Sequence, residues 1–180
     1  MKKQLALALA LALSSFSALA QDVKIGALMD ITGPIASFIP PLQNAVALAI
    51  KHVNDQGGLL KGKAALAVGD TQGAAQTAVD AAGKLVNVEN SSVIMGALMS
   101  GTTITAANAV TIPAGVVIIS PTATSPAITD LDDKDTVFRL VPSDNYQGDV
   151  LARMVLAAGR NAGRCRQRRA RLTTDRCQST

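Results

Sequence analysis

The chain has few of the residues that usually carry enzyme chemistry or bind metals. Its 180 residues include one histidine, two cysteines, one tyrosine, three phenylalanines and no tryptophan. No serine, cysteine or carboxylate stands at a spacing from His52 that would make it a catalytic base, so we predict a surface position on a helix. Cys165 and Cys177 match no zinc spacing, although two exported cysteines could pair. We predict no metal site.

Cofactor-binding motifs are missing as well. The sequence contains neither a Gly-x-Gly-x-x-Gly turn nor a Gly-x-x-x-x-Gly-Lys-Ser/Thr loop, so nucleotide binding lacks its main signature and we predict no cofactor. With so few aromatic residues, the core must consist of Val, Ile, Leu and Ala. An enzyme on an α/β scaffold stays open as an alternative to a binding protein, but the base, nucleophile and cofactor motif are all lacking.

The first twenty residues have the features of a signal peptide. Lys2 and Lys3 precede the apolar run Leu5–Leu13, and Ala18-Leu19-Ala20 has the small-x-small cleavage pattern. We expect the mature chain to start at Gln21 and to reside in the periplasm.

Charge divides the rest of the chain into two parts. Residues 21–159 carry eight Lys and Arg against twelve Asp and Glu, whereas residues 160–180 carry seven Arg against one Asp. The basic character of the whole chain therefore belongs to its last 21 residues.

Apolar runs that end in turn residues alternate with amphipathic segments. Strands are predicted at Asp22–Met29, Ala64–Gly69, Val93–Met95, Val116–Ile119 and Val137–Val141. Helices are predicted from the apolar spacing of Ala45, Leu48, Ala49 and Val53, from that of Ala75, Ala78, Val79, Ala82, Leu85 and Val86, and at Ile104–Val110. Single helices between strands imply right-handed crossovers, so the predicted fold class is α/β with a doubly wound parallel sheet.

Two hydroxyl-rich segments follow the third and fourth predicted strands, at Ser100–Thr103 and Ser120–Thr124. In an open parallel sheet the carboxyl ends of the strands are where ligands bind, and these segments would offer hydrogen-bond donors to a carboxylate. Ser and Thr are also ordinary helix caps and turn residues, so a purely structural role stays open. Asp70, at the end of the second strand, could likewise be either a ligand contact or a turn-capping residue.

Several motifs occur together in one order. They are Lys24–Met29 followed by Thr32-Gly33-Pro34, then Val53–Gly58, then Ile118–Pro126, and then Phe138–Asp144 with Gln147-Gly148. In this set the chain resembles, over about residues 22–158, the amino-terminal lobe of the leucine/isoleucine/valine-binding protein family. Members of that family are periplasmic solute receptors of branched-chain amino acid ABC transporters.

The resemblance implies the first lobe of a type I periplasmic binding protein clamp, which closes around its ligand by hinge motion. It implies ligand binding by Ser100, Gly101, Thr102, Thr122, Ala123 and Thr124. The Ser100 hydroxyl, together with the hydroxyl and backbone N–H of Thr124, would bind the α-carboxylate of an amino acid, and the Thr122 carbonyl would accept from the α-ammonium group. The family often has an aliphatic or polar residue where Gly101 stands, so side-chain selectivity stays open.

The pattern of the family ends near residue 159. We expect lobe I at 21–143, a crossover helix toward a missing second lobe at 144–159, and a disordered tail at 160–180. The Arg and Cys content of this tail is what a shifted reading frame in a GC-rich gene would produce. The alternative is an arginine-rich segment that binds nucleic acid or anionic lipid.

The expected function is therefore that of a monomeric receptor that delivers leucine, isoleucine, valine or a related amino acid to a membrane permease, without nucleic acid, and that binds poorly in this truncated form. A sensory or partner-binding lobe is the other alternative.

Overall fold

All five predicted strands occur, and they form one parallel sheet. The computed structural model describes residues 22–159; the predicted signal peptide and basic tail lie outside the described residues. The strands are β1 Val23–Met29, β2 Ala64–Asp70, β3 Val93–Gly96, β4 Val117–Ser120 and β5 Val137–Arg139. Their order in the sheet is β2-β1-β3-β4-β5, and every neighbouring pair is parallel. The predicted parallel α/β sheet is confirmed.

Helices connect these strands. They are α1 Ile39–Asp55, α2 Ala75–Asn87, α3 Ser100–Ala106, which continues through a π-helical segment at Ala107–Thr111 into α4 Ile112–Ala114, and α5 Asp144–Ala157. Short 3₁₀ turns lie at Ala36–Phe38 and Pro126–Ile128. None of the helices within residues 22–159 combines the length and apolar character that crossing a membrane requires.

The sheet has a separate apolar cluster on each face. Leu28 packs with α2 and α3 residues such as Leu85 and Ala106, whereas its strand neighbours Ala27 and Met29 pack with Ile39 of α1. Successive side chains of a strand point to opposite faces, so β1 contributes to both clusters. Helices therefore cover both faces, as expected of a doubly wound sheet.

The side of α1 that packs on the sheet differs from the sequence prediction. Three of the four predicted residues, Ala45, Leu48 and Ala49, are exposed, and Leu48 retains 52% of its accessible surface. The helix packs through Ile39, Leu42 and Val46 instead. Apolar residues occur nearly all the way around α1, so periodicity alone could not select the buried side.

The third helix starts earlier and ends later than predicted. Ser100–Thr103, predicted as a polar turn, forms the first turn of α3, and helical structure continues to Ala114. The π-helical segment lies just before Pro113, which has no N–H to donate to the preceding turn. The segment Ser100–Thr103 therefore presents helical backbone rather than loop backbone to the edge of the sheet.

The last strand ends at Arg139, two residues before the predicted end at Val141. Among the strands of the described residues, β5 pairs only with β4, and β4 ends at Ser120, where Pro121 cannot donate to a ladder. The chain then enters α5, which begins at the capping residue Ser143; all residues of α5 are exposed.

The order of the strands creates a switch point. From β1 the chain crosses to β2 on one side and then returns to β3 on the other side, so the connections diverge between β1 and β3. Open α/β sheets bind ligands outside the carboxyl ends of the strands at such a point. The two hydroxyl-rich segments follow β3 and its neighbour β4, next to this position.

Candidate functional site

The amino terminus of α3 lies against the loop that follows β4. Met99 is the residue at the N-cap, and within residues 22–159 no side chain caps this helix end. The first N–H groups of a helix have no partner inside the helix, so this end offers donors to an anion.

Ser100 joins the helix end to the β4 loop. Its Oγ atom accepts a hydrogen bond from the backbone N of Ser125 at 3.3 Å. A hydroxyl group has one proton and two lone pairs, so this contact uses a lone pair and leaves the O–H free to donate. Ser100 is half-buried, so the residue is not closed off from solvent or from a ligand.

Gly101 and Thr102 differ in what they present. Gly101 is exposed, and a Cβ atom built there would have no neighbour within 4 Å. Thr102 is only 3% exposed, and its hydroxyl donates to the carbonyl oxygen of Met99 at 2.8 Å. Thr102 can therefore reach a ligand through its backbone but not through its hydroxyl in this arrangement.

A run of buried hydrogen bonds orients the peptide between Thr122 and Ala123. The N–H of Ala123 donates inward to Ser120 Oγ at 3.1 Å, and Ser120 Oγ donates to the carbonyl oxygen of Ala97 at 2.6 Å. In a trans peptide the carbonyl points opposite to the N–H. The Thr122 carbonyl therefore points away from the core. The Thr122 hydroxyl is tied to the carbonyl oxygen of Leu98 at 2.6 Å.

Thr124 is linked to the start of α5. Its hydroxyl donates to Asp144 Oδ2 at 3.0 Å, and the N–H of Asp144 donates back to the Thr124 carbonyl at 2.9 Å. The proton of that hydroxyl is therefore engaged by a carboxylate of this chain. A ligand carboxylate would have to compete with Asp144 for it, or use the backbone N–H of Thr124 alone.

Arg139, at the end of β5, holds the same loop from the other side. Its Nη1 atom donates to the carbonyl oxygen of Ser125 at 2.8 Å and, more weakly, to that of Thr124 at 3.4 Å. Its Nη2 atom donates to the hydroxyl of Thr129. A guanidinium group bridges several acceptors with one rigid fork, so Arg139 fixes the shape of the loop.

Asp70 has the turn-capping role. Its carboxylate accepts from the N–H of Gln72 at 2.9 Å and from the hydroxyl and N–H of Thr32 at 2.8 and 3.2 Å. Burial on its own would raise the pKa of Asp70, but these hydrogen bonds together hold it below its usual range. Asp70 thus joins the loops that follow β1 and β2.

Asp30, at the end of β1, is fully buried. Its Oδ1 atom accepts from the Thr71 hydroxyl at 2.6 Å, and its Oδ2 atom accepts from the backbone N of Leu98 at 3.3 Å. This carboxylate connects the carboxyl ends of β1, β2 and β3.

The predicted surface position of His52 is confirmed. His52 is exposed on α1. Within the described part of the chain, no group of three or more His, Cys, Asp and Glu side chains could hold a metal ion.

Asp30, Arg139 and Asp144 were not predicted from the sequence as part of the site. Ser120 was predicted only as a member of the hydroxyl-rich segment Ser120–Thr124. Arg139 and Asp144 lie within the motif Phe138–Asp144, and Asp30 directly follows the first predicted strand. These positions are the features of the sequence that could have indicated a role for them. Apart from the contact of Ser120 with Ala123, their side-chain partners lie 10 to 68 residues away along the chain.

Comparison with known proteins shows the family of the chain. The family described as periplasmic binding protein matches residues 22–167. The chain belongs to the periplasmic binding protein family.

Individual relatives are more specific. The chain is 32% identical over 135 residues to the Leu/Ile/Val-binding protein BraC3 of Rhizobium johnstonii. The matched region covers 75% of this chain and 36% of BraC3. It is also 30% identical over 141 residues to BasB, a chemotactic signal transduction system substrate-binding protein of Halobacterium salinarum. That matched region covers 75% of this chain and 34% of BasB. The chain thus spans about a third of the length of these relatives.

Solved structures give the same fold. The substrate-binding protein LivJ of Streptococcus pneumoniae, in complex with isoleucine, has a TM-score of 0.64 and 27% identity, covering 69% of this chain and 35% of LivJ. An ABC transporter substrate-binding protein of Desulfitobacterium hafniense, in complex with Leu, has a TM-score of 0.67 and 27% identity, covering 77% of this chain and 40% of that protein. The fold is that of a lobe of a type I periplasmic binding protein.

Proposed function

We propose that the chain binds the charged main-chain groups of a branched-chain amino acid as part of an extracytoplasmic receptor of an ABC transporter. The proposal rests on two groups of the loop that follows β4: the Thr122 carbonyl, which points away from the core, and the Ser100 hydroxyl, which contacts this loop at Ser125 and has a free proton. One group accepts and the other donates, which is the pair that a zwitterion requires. The names of the relatives and the ligands of the solved structures support the same class of ligand.

The ligand carboxylate would bind the Ser100 hydroxyl, the first N–H groups of α3 and the backbone N–H of Thr124. The ligand ammonium group would donate to the Thr122 carbonyl. Neutral dipoles can hold both charges in this way without a buried counter-ion, which would carry a large desolvation cost.

We expect weak binding by the described residues. Gly101 and Thr122 are exposed and all proposed contacts lie on one side of the ligand, so much of the ligand stays hydrated. A charge-assisted hydrogen bond contributes roughly 1.5–3 kcal/mol when desolvated, and immobilising the ligand costs at least about 4 kcal/mol. Four such contacts at about 2 kcal/mol each, less that cost, leave about 4 kcal/mol, which corresponds to a millimolar Kd.

The test is an NMR titration of the full chain, labelled with ¹⁵N, against leucine, isoleucine and valine. We expect shifts of the amides around Ser100 and Thr124. Isobutylamine, which has no carboxylate, is expected to bind more weakly than valine. Equal binding of the amine and of valine, or shifts confined to other parts of the chain, would refute the proposal.

We infer that export to the periplasm, a permease partner and a monomeric state accompany this function. We further propose that residues 21–143 act as lobe I and that residues 144–159, which include α5, lead toward a second lobe. The molecular mass of the exported protein tests export, since removal of residues 1–20 is expected. A pull-down with permease subunits tests the partner.

Sensing is a second candidate function, because BasB of Halobacterium salinarum is named as a chemotactic substrate-binding protein. The ligand site would be the same and only the partner would differ. Capture of a chemoreceptor rather than a permease in the pull-down would favour this candidate. Transport and sensing both require solute binding without turnover. An enzyme would instead convert its substrate, which a hydrolase assay of the purified chain tests.

A further inference from the structure

A continuous run of hydrogen bonds connects the buried carboxylate of Asp30 to the proposed ligand site. It starts at the N–H of Ala123, passes through the Ser120 hydroxyl to the Ala97 carbonyl, and leaves the same peptide unit through the N–H of Leu98 to Asp30 Oδ2. Each donor in this run points toward Asp30. Four of the five residues, all except Leu98 at 6%, have no accessible surface.

The direction of these bonds matters for the ligand site. A carboxylate that accepts from one face of a peptide makes the carbonyl on the opposite face a stronger acceptor, and aligned hydrogen bonds strengthen one another. The bond from Ala123 to Ser120 is at the far end of the run. The Thr122 carbonyl belongs to that last peptide, so its direction and its strength as an acceptor both depend on the run.

In the part of the chain that the structure describes, Asp30 forms no ion pair. Ion pairs among residues 22–159 join Lys24 to Glu89, Lys51 to Asp55 and Arg153 to Asp149, and none of them includes Asp30. A buried carboxylate that accepts from only neutral groups is costly, so a purely structural role would be served as well by a neutral side chain. A bound ammonium group at Thr122 would offset part of this charge.

We propose that Asp30 is a positioning residue for recognition of the ligand ammonium group. It acts through the Ala97–Leu98 peptide and Ser120, and it holds the Thr122 carbonyl outward as a strong acceptor. This inference rests on the proposed function, because it assigns to Asp30 a part in binding the same zwitterion.

The test compares two ligands that differ only in the ammonium group. Valine has the group, and 3-methylbutanoate has the same carboxylate and the same branched side chain without it. The Kd of each is measured by ¹⁵N NMR titration of the full chain. A change that merely weakens the fold should reduce both affinities alike, whereas loss of the positioning role should reduce only the affinity for valine.

Three variants interrupt the run at different points. Asp30→Ala removes the acceptor and is expected to weaken valine binding about tenfold, the loss of one charge-assisted hydrogen bond. Asp30→Asn keeps an oxygen for the Leu98 N–H but removes the charge, and about a threefold loss is expected because charge-assisted bonds are roughly twice as strong. Ser120→Ala is expected to resemble Asp30→Ala. Binding of 3-methylbutanoate should stay within about twofold in all three, well below the loss of one such bond.

Thr71→Val is the matched control. It removes the other hydrogen bond to Asp30, from the Thr71 hydroxyl, and leaves the run to Ala123 complete. We expect an unchanged ratio of the two affinities, even if stability falls. If Asp30→Ala does not fold, Asp30→Asn and Ser120→Ala decide the matter. An affinity ratio that is the same in these variants as in the unmodified chain would overturn the inference.

A second measurement separates failure of this inference from failure of the proposed function. Amide exchange at Ala123, without ligand, should become about tenfold faster in Ser120→Ala, equivalent to the loss of one net hydrogen bond, and about threefold faster in Asp30→Asn, which only weakens the run. Binding of neither compound by the unmodified chain would refute the proposed function. Unchanged exchange at Ala123 in Asp30→Asn would refute the role of Asp30, whatever the chain binds.

Discussion

Replacement of Arg139 should destabilise the chain by removing the hydrogen bonds that hold the loop following β4. Its guanidinium group forms good hydrogen bonds to the Ser125 carbonyl and the Thr129 hydroxyl and a marginal one, at 3.4 Å, to the Thr124 carbonyl. With a charged donor at a half-buried position, two good bonds are worth about 2 kcal/mol together. Arg139→Ala should therefore lower the Tm by about 4–8 °C for a domain of this size.

The assay is urea and thermal unfolding of Arg139→Ala, Arg139→Lys and a control. Lysine keeps the charge but has no rigid fork, so about half of the loss is expected to return. The control is Arg153→Ala, which removes an arginine of α5 whose ion pair with Asp149 is largely exposed, and it should cost less than about 0.5 kcal/mol. Equal stability of Arg139→Ala and Arg153→Ala would refute the assigned role of Arg139.

Three further predictions concern stability and association. Gly96→Ala should destabilise the chain by about 3 kcal/mol or more in urea unfolding, because Gly96 has a φ of +120° and its Cβ would lie 1.9 Å from the Leu28 carbonyl oxygen; Gly101→Ala, with no neighbour within 4 Å, is the control. Because the pKa of Asp70 is lowered in the folded state, its full contribution to the free energy of unfolding is present above its unfolded-state pKa of about 3.9. That contribution is lost as the pH falls through the folded-state pKa. Asp70→Asn should thus be less stable than the unmodified chain at neutral pH, with the two curves converging in acid; parallel curves would contradict this. Leu151 and Met154 are 53% and 63% exposed on α5, so replacing both by Ser should reduce concentration-dependent light scattering, and Gln147→Ser should not.

The strands were predictable because each is an apolar run that ends in turn residues. β2 illustrates this, since Ala64–Gly69 was predicted and Ala64–Asp70 was found. The buried side of α1 was not predictable, because Leu48 and Val46 are equally apolar and only the position of the sheet distinguishes them. The start of α3 was also missed, since Ser and Thr fit a turn and a first helical turn equally well.

The candidate site was predictable only in part. The resemblance proposed Ser100, Thr122 and Thr124 as candidates, but it did not show which hydrogen bonds their groups form within the chain. That the Thr124 hydroxyl donates to Asp144, or that Asp30 bonds to Leu98, depends on how segments 20 and 68 residues apart meet at one edge of the sheet. Local sequence patterns do not contain that information.

The most direct test of the central claim is the effect of Ser100→Ala on the Kd for valine, measured by ¹⁵N NMR titration of the full chain. Thr105→Val is the control, because it removes a hydroxyl of the same helix that donates to the Gly101 carbonyl. If the free proton of Ser100 binds the ligand carboxylate, Ser100→Ala should weaken binding about tenfold or more, whereas Thr105→Val should leave it unchanged. Equal Kd values for Ser100→Ala and the unmodified chain would contradict the account.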